Sequence, residues 1–115
     1  MTRFERVKQI LDEAVEGQNI GAHGTFWRPL DLKQFKQKKI YGRRLVIPGD
    51  VASSNLVLAL RGVAPFGTDV GTPNAVYPRM PVGFPRVPEE RILFIEDWIR
   101  NGCPDDEWVP PSNVS

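Results

Sequence analysis

Between Gly62 and Val87 the chain carries five prolines and four glycines, and no long regular element tolerates that density of breakers. Proline removes a backbone donor and clashes with a preceding helical turn, while glycine costs backbone entropy in any helix or strand. Yet Phe66, Val76, Tyr77, Met80 and Phe84 lie in the same stretch, too much apolar surface for a disordered linker. The segment therefore reads as an ordered loop wrapped over a core. The elements that build that core must come from the sequence on either side.

Those flanks carry helix signals. Thr2 and Glu5 form a capping-box pair, each able to satisfy an orphan backbone N–H of a first turn. Val7, Ile10, Leu11, Ala14 and Val15 follow at helical spacing and Gly17 offers a stop, which predicts a helix from Arg3 to Glu16. Asp31 is expected to cap a short second helix through Lys38 that buries Leu32 and Phe35. Asp50 is expected to cap a third, with Leu56, Val57, Ala59 and Leu60 as its apolar face before Gly62. Pro88 suits the first turn of a last helix, Glu89 and Glu90 suit its positive end, and Ile92, Ile95, Trp98 and Ile99 form its buried stripe. The expected fold class is all-α: four short helices and a long Pro/Gly-rich loop. The domain should span 1–105, followed by a frayed tail over 106–115 that contains Pro110, Pro111 and Ser112.

A length of 115 residues with 41% apolar content suits one modest core and leaves no room for a second. A net charge of +1 gives no general attraction to nucleic acid, anionic membranes or acidic substrates. Cys103 is the single cysteine, which fits a reducing compartment better than a secreted one. A charged helix pattern stands where a signal-peptide core would be, and no apolar run is long enough to span a bilayer. The expected location is cytoplasmic.

Two residues stand in frames that could hold a haem iron. Asn19-Ile20-Gly21-Ala22-His23-Gly24 has the register of a C-x-x-C-H attachment site, but Asn19 and Ala22 replace both thioether-forming cysteines, so a covalent link is excluded there. Downstream follow Val46-Ile47-Pro48-Gly49-Asp50-Val51-Ala52-Ser53-Ser54-Asn55-Leu56-Val57, then Arg79-Met80-Pro81, then I-L-F-I-E-D-W-I-R-N-G-C-P from Ile92 to Pro104. In this order and spacing the pieces resemble the small class I cytochrome c domains of bacterial multidomain proteins, over roughly Val7 to Asp105. The resemblance implies crossed first and last helices, with Ile10 and Leu11 beside Ile95 or Trp98, and a long loop presenting Met80 as a haem ligand.

The residues support two main readings. In the first, no cofactor is bound, Met80 is a packing residue, and Phe26, Trp27, Phe66, Tyr77 and Phe84 fill the space a porphyrin would take. The chain is then a haem-free protein-interaction module, an accessory or regulatory subunit of a larger assembly, with a protein partner or a second copy as its target. Trp27, Phe66, Tyr77 and Trp108 are its candidate anchors, Trp108, past the last helix, being the best candidate for an exposed one, and Lys38, Lys39, Arg43 and Arg44 its candidate charged contacts. In the alternative, His23 and Met80 hold haem without a covalent link for electron transfer or sensing.

Other functions fit less well. Lys33, Lys36, Lys38, Lys39, Arg43 and Arg44 form a basic run interleaved with Phe35 and Tyr41, but a near-neutral total argues against nucleic acid. No paired carboxylates, phosphate loop or zinc spacing marks an enzyme. Cys103, at the negative end of a helix, should have a raised pKa and so be a weaker acid.

Overall fold

A computed structural model of the chain describes residues 1–17, 26–40 and 42–108. Among these, four α-helices are joined by irregular segments: α1 (Arg3–Ala14), α2 (Leu32–Gln37), α3 (Asn55–Arg61) and α4 (Glu89–Arg100). A two-stranded antiparallel ladder, β1 (Lys39–Ile40) with β2 (Arg43–Arg44), separates α2 from α3. The fold is thus mainly helical rather than all-α. Gly42, at φ +76°, supplies the left-handed turn between the strands, which pair Lys39 with Arg44 and Ile40 with Arg43.

Local chemistry sets the helix ends. Thr2 and Glu5 make the expected capping box on α1, which stops at Ala14 because Glu16 and Gly17 turn left-handed and the Gly17 N–H returns to the Asp12 carbonyl at 2.8 Å. Asp31 caps α2, with Gln34 closing a second capping box. Pro88 is the N-cap of α4.

Asp50 does not cap α3. Ser54 is the N-cap and is fully buried, its hydroxyl donating to the Asp50 carbonyl at 2.7 Å and accepting from the Ile47 N–H at 2.9 Å. Asp50 instead accepts from the Ser53 N–H, and the preceding Gly49 N–H donates to the Ile99 carbonyl at 2.7 Å. The Pro-Gly-Asp turn therefore braces the last turn of α4 rather than starting a helix.

The core sits where α1 and α4 pack together and α3 packs on α4. Val7, Ile10, Leu11, Ile92, Ile95, Trp98 and Ile99 all belong to one buried cluster. Phe4 stacks on Trp98 with ring centroids 6.0 Å apart, and Phe35 of α2 meets both rings edge-on. The Trp98 Nε1–H donates to the Pro104 carbonyl, so the largest core ring has no orphan donor. Ion pairs clamp the periphery: Glu13 of α1 meets Arg91 of α4 at 3.0 Å, and Arg61 of α3 meets Glu96 of α4 at 2.6 Å.

The tail expected to fray from Asp106 is docked through Trp108. Arg3 holds the Asp106 carboxylate through two guanidinium nitrogens, and the Trp108 N–H donates to the Met1 carbonyl. The Trp108 ring lies edge-on to Phe94 at 5.7 Å with the Arg6 guanidinium 5.2 Å from its centre. Trp108 is thus half-buried against Phe94 and Arg6. No helix among the described residues is long and apolar enough to cross a membrane.

Candidate functional site

Helices α1 and α3, the hairpin and the long loop border a partly open cavity of about 380 Å³. Its floor comes from α1, through Leu11, Ala14 and the C-cap Val15, and from α3, whose Leu56, Ala59 and Leu60 face inward. A one-turn recurrence places Leu56, Ala59 and Leu60 on one face, and the small side chain of Ala59 leaves room between the two leucines. Phe26 and Trp27 form one wall, and Ile40, Arg43 and Leu45 of the hairpin region form another. The loop supplies the remaining wall through Phe66, Tyr77, Met80, Pro81 and Val82.

Hydrogen bonds fix these walls in place. Trp27 is 3% exposed, and its Nε1–H donates to the Asp12 Oδ1 at 2.8 Å. The Arg28 Nε–H donates to the same oxygen, while Lys8 donates to the Arg28 and Leu30 carbonyls, tying this segment to α1. Trp27 is therefore a wall residue, not a surface anchor for a partner.

The long loop is ordered by its own backbone. Phe66 and Tyr77 form an isolated parallel bridge, and their rings lie 5.5 Å apart. The Gly67 and Thr68 N–H groups donate to the Tyr77 carbonyl, the Arg79 N–H donates to the Asp69 carboxylate, and Thr72 donates to the Gly62 carbonyl. Gly67 sits at φ +108°, and a Cβ there would lie 2.5 Å from the Gly62 carbonyl oxygen, so only glycine fits. Further along the loop, the Met80 N–H donates to the Ala59 carbonyl at 2.9 Å, anchoring it to α3.

The arrangement departs from the sequence expectation in one decisive respect. Phe26, Trp27, Phe66 and Tyr77 line the cavity but do not fill it, because Trp27 is held back by Asp12 and the Phe66–Tyr77 pair is held to the loop. Phe84 packs at the edge of the core and is not among the lining residues. Met80 lines the cavity; His23, Thr25 and Tyr41 lie outside the described residues.

Of the basic residues, Arg43 alone reaches the cavity. Lys39 and Arg44 are exposed and Lys38 is half-buried, and Arg44 is drawn toward α2 by a bond to the Lys36 carbonyl at 2.7 Å. Cys103 is fully buried, and burial pushes its thiol up to about 11, so it is no nucleophile at neutral pH.

Sequence reasoning did not single out Ile40, Leu45, Asn55 or Ala59 as site residues. The apolar face of α3 was visible, but nothing in a periodic stripe tells a cavity floor from packed core. Comparison of the chain with protein families, with curated proteins and with solved structures finds no match.

Proposed function

We propose that the chain is a cytochrome c-like domain that binds haem without a covalent link and serves electron transfer or sensing through His23 and Met80. The observation that carries this reading is the apolar cavity of about 380 Å³ with Met80 in its wall. That volume lies in the range of ligand pockets, and aromatic and aliphatic walls with few polar groups are what such pockets use. A plugged frame would have no use for this space.

The residues present suit the group. A thioether is a soft donor that can serve with histidine as a ligand of haem iron, and Met80 would bring one to a cavity whose Phe26, Trp27, Phe66 and Tyr77 rings suit a flat aromatic ligand. Bound haem supplies a one-electron iron couple. The chain's own residues would do the rest: the Met80 thioether would hold the iron, its backbone N–H bond to Ala59 limits its travel, and the apolar walls would hold the ring. Without thioether links, pocket contacts alone retain the ligand.

Titration of the purified protein with haemin, followed by the Soret band and tryptophan emission, tests this. Saturation at one haemin per chain with quenching of Trp27 is the expected result. Absence of saturable binding would leave the haem-free interaction module, for which Val63, Val70, Val76 and Val82, all exposed on the long loop, offer an apolar surface.

A further inference from the structure

The near-neutral total conceals a strong separation of charge. Lys33, Lys36, Lys38, Lys39, Arg43 and Arg44 fall within twelve residues that contain no acid, so this run carries +6, while the rest of the chain sets nine cations against fourteen acids. Outside the run the charges are largely paired: seven of the eight arginines there meet a carboxylate within 3.6 Å. None of the six cations in the run meets one among the described residues. The acids nearest in sequence are committed elsewhere, Asp31 to the Gln34 N–H at the start of α2 and Asp50 to the Ser53 N–H.

The fold draws these cations together. Lys33 and Lys36 lie one turn apart on α2, the ladder sets Lys39 opposite Arg44, and the Arg44 guanidinium donates to the Lys36 carbonyl at 2.7 Å. Lys33, Lys39, Arg43 and Arg44 are exposed, and Lys36 and Lys38 are half-buried. Like charges opposite one another on a ladder or one turn apart on a helix oppose folding, and a bound polyanion relieves that repulsion. Protein interfaces are depleted of lysine and centre on aromatic or aliphatic anchors. Here four of the six cations are lysines, and Phe35, the aromatic residue of α2, is fully buried. Surfaces that hold nucleic acid are far more positive and spend most of their contacts on phosphates. With six residues in α2 and two in each strand, neither element is long enough to read base edges along a groove. We propose that α2 and the β1/β2 hairpin bind the phosphate backbone of a nucleic-acid duplex without reading its sequence. The surface is independent of the haem reading: apart from Arg43, its cations line no part of the cavity.

Fluorescence anisotropy of labelled DNA duplexes of about 20 base pairs, titrated with the protein between about 25 and 200 mM salt, tests this. With four to six phosphate contacts, the logarithm of the binding constant should fall against that of salt with a slope of about −3.6 to −5.4, at about 0.9 per contact. Two duplexes of unrelated sequence should bind within about twofold of each other. Lys33→Gln combined with Lys39→Gln, both at exposed positions outside the cavity, should weaken binding roughly tenfold or more at 50 mM salt and make the slope shallower by about 1.8. Lys33→Arg with Lys39→Arg should retain binding. Arg86→Gln with Arg100→Gln, which removes the same charge from exposed ion-paired positions, should stay within about threefold of wild type. No binding at the lowest salt, affinity indifferent to salt, or a control pair that loses as much as the lysine pair would each overturn the proposal. A tenfold preference between the two duplexes would overturn the backbone-only contact. Polyglutamate bound as tightly as the duplex would assign the face to an acidic protein instead, and anionic phospholipid vesicles bound in place of the duplex would assign it to a membrane; either result overturns the proposal.

Discussion

Replacing Trp27 with alanine probes whether this ring is a structural wall of the cavity. Trp27 is 3% exposed, its ring lies edge-on to Phe26 at 5.2 Å, and its Nε1–H bonds to Asp12 at 2.8 Å. Truncating a fully packed tryptophan costs about 3 to 5 kcal/mol, and because part of this ring borders the cavity the expected loss lies near the lower end, about 3 kcal/mol. The hydrogen bond contributes about 1 kcal/mol of that, since Asp12 keeps the Arg28 Nε–H at 2.8 Å and is not orphaned. Trp27→Phe isolates this smaller part. For a chain of this size the alanine variant should melt about 12 °C lower, at about 4 °C per kcal/mol. Urea denaturation followed by circular dichroism, with an unchanged slope, gives the free energy directly. A loss below about 1 kcal/mol would refute the wall assignment, as would Trp27→Phe costing as much as Trp27→Ala.

Three further outcomes follow from the packing. Burial raises the Cys103 thiol from its ordinary 9.0 to about 11, above its unfolded value, so its stabilisation is complete below 9.0 and is lost as pH rises towards 11. Wild type should therefore lose more stability than Cys103→Ala between these values, and its thiol should resist alkylation until unfolding; rapid labelling of the native state would contradict this. Arg61→Gln should cost about 1 to 3 kcal/mol in chemical denaturation, because Glu96, only 14% exposed, loses its guanidinium partner; no measurable change would show that the α3–α4 clamp contributes nothing. Gly67→Ala should cost about 2 to 4 kcal/mol through its left-handed backbone and the clash with the Gly62 carbonyl; a neutral result would mean that the long loop is not held as described.

Particular residues show how much of this was legible beforehand. The apolar stripes of α1 and α4 and the caps at Thr2 and Asp31 are local signals, and the helices lie where those signals put them. The β1/β2 ladder was not legible, because two-residue strands are too short to show alternation and the run Lys38 to Arg44 reads only as charge. Asp50 carried a capping signal, yet the buried Ser54 organises that turn through bonds to Ile47 and Asp50, a competition that spacing alone does not resolve. Docking of Trp108 depends on Arg3 and Met1 at the other end of the chain, so no local pattern announced it. Met80 was singled out by its frame, whereas the choice of Arg43 over Lys38, Lys39 and Arg44 needed the hairpin geometry.

Under the proposed function, Met80 and His23 would ligate the iron of a haem held without a covalent link. The most direct test is the absorption spectrum of the haemin-loaded protein, oxidised and reduced, for wild type, Met80→Ala and His23→Ala. Wild type should show a sharp Soret band that changes in both variants, with weaker haem retention in each and an unchanged fold by circular dichroism. Spectra identical across the three proteins, or no specific band in wild type, would contradict it.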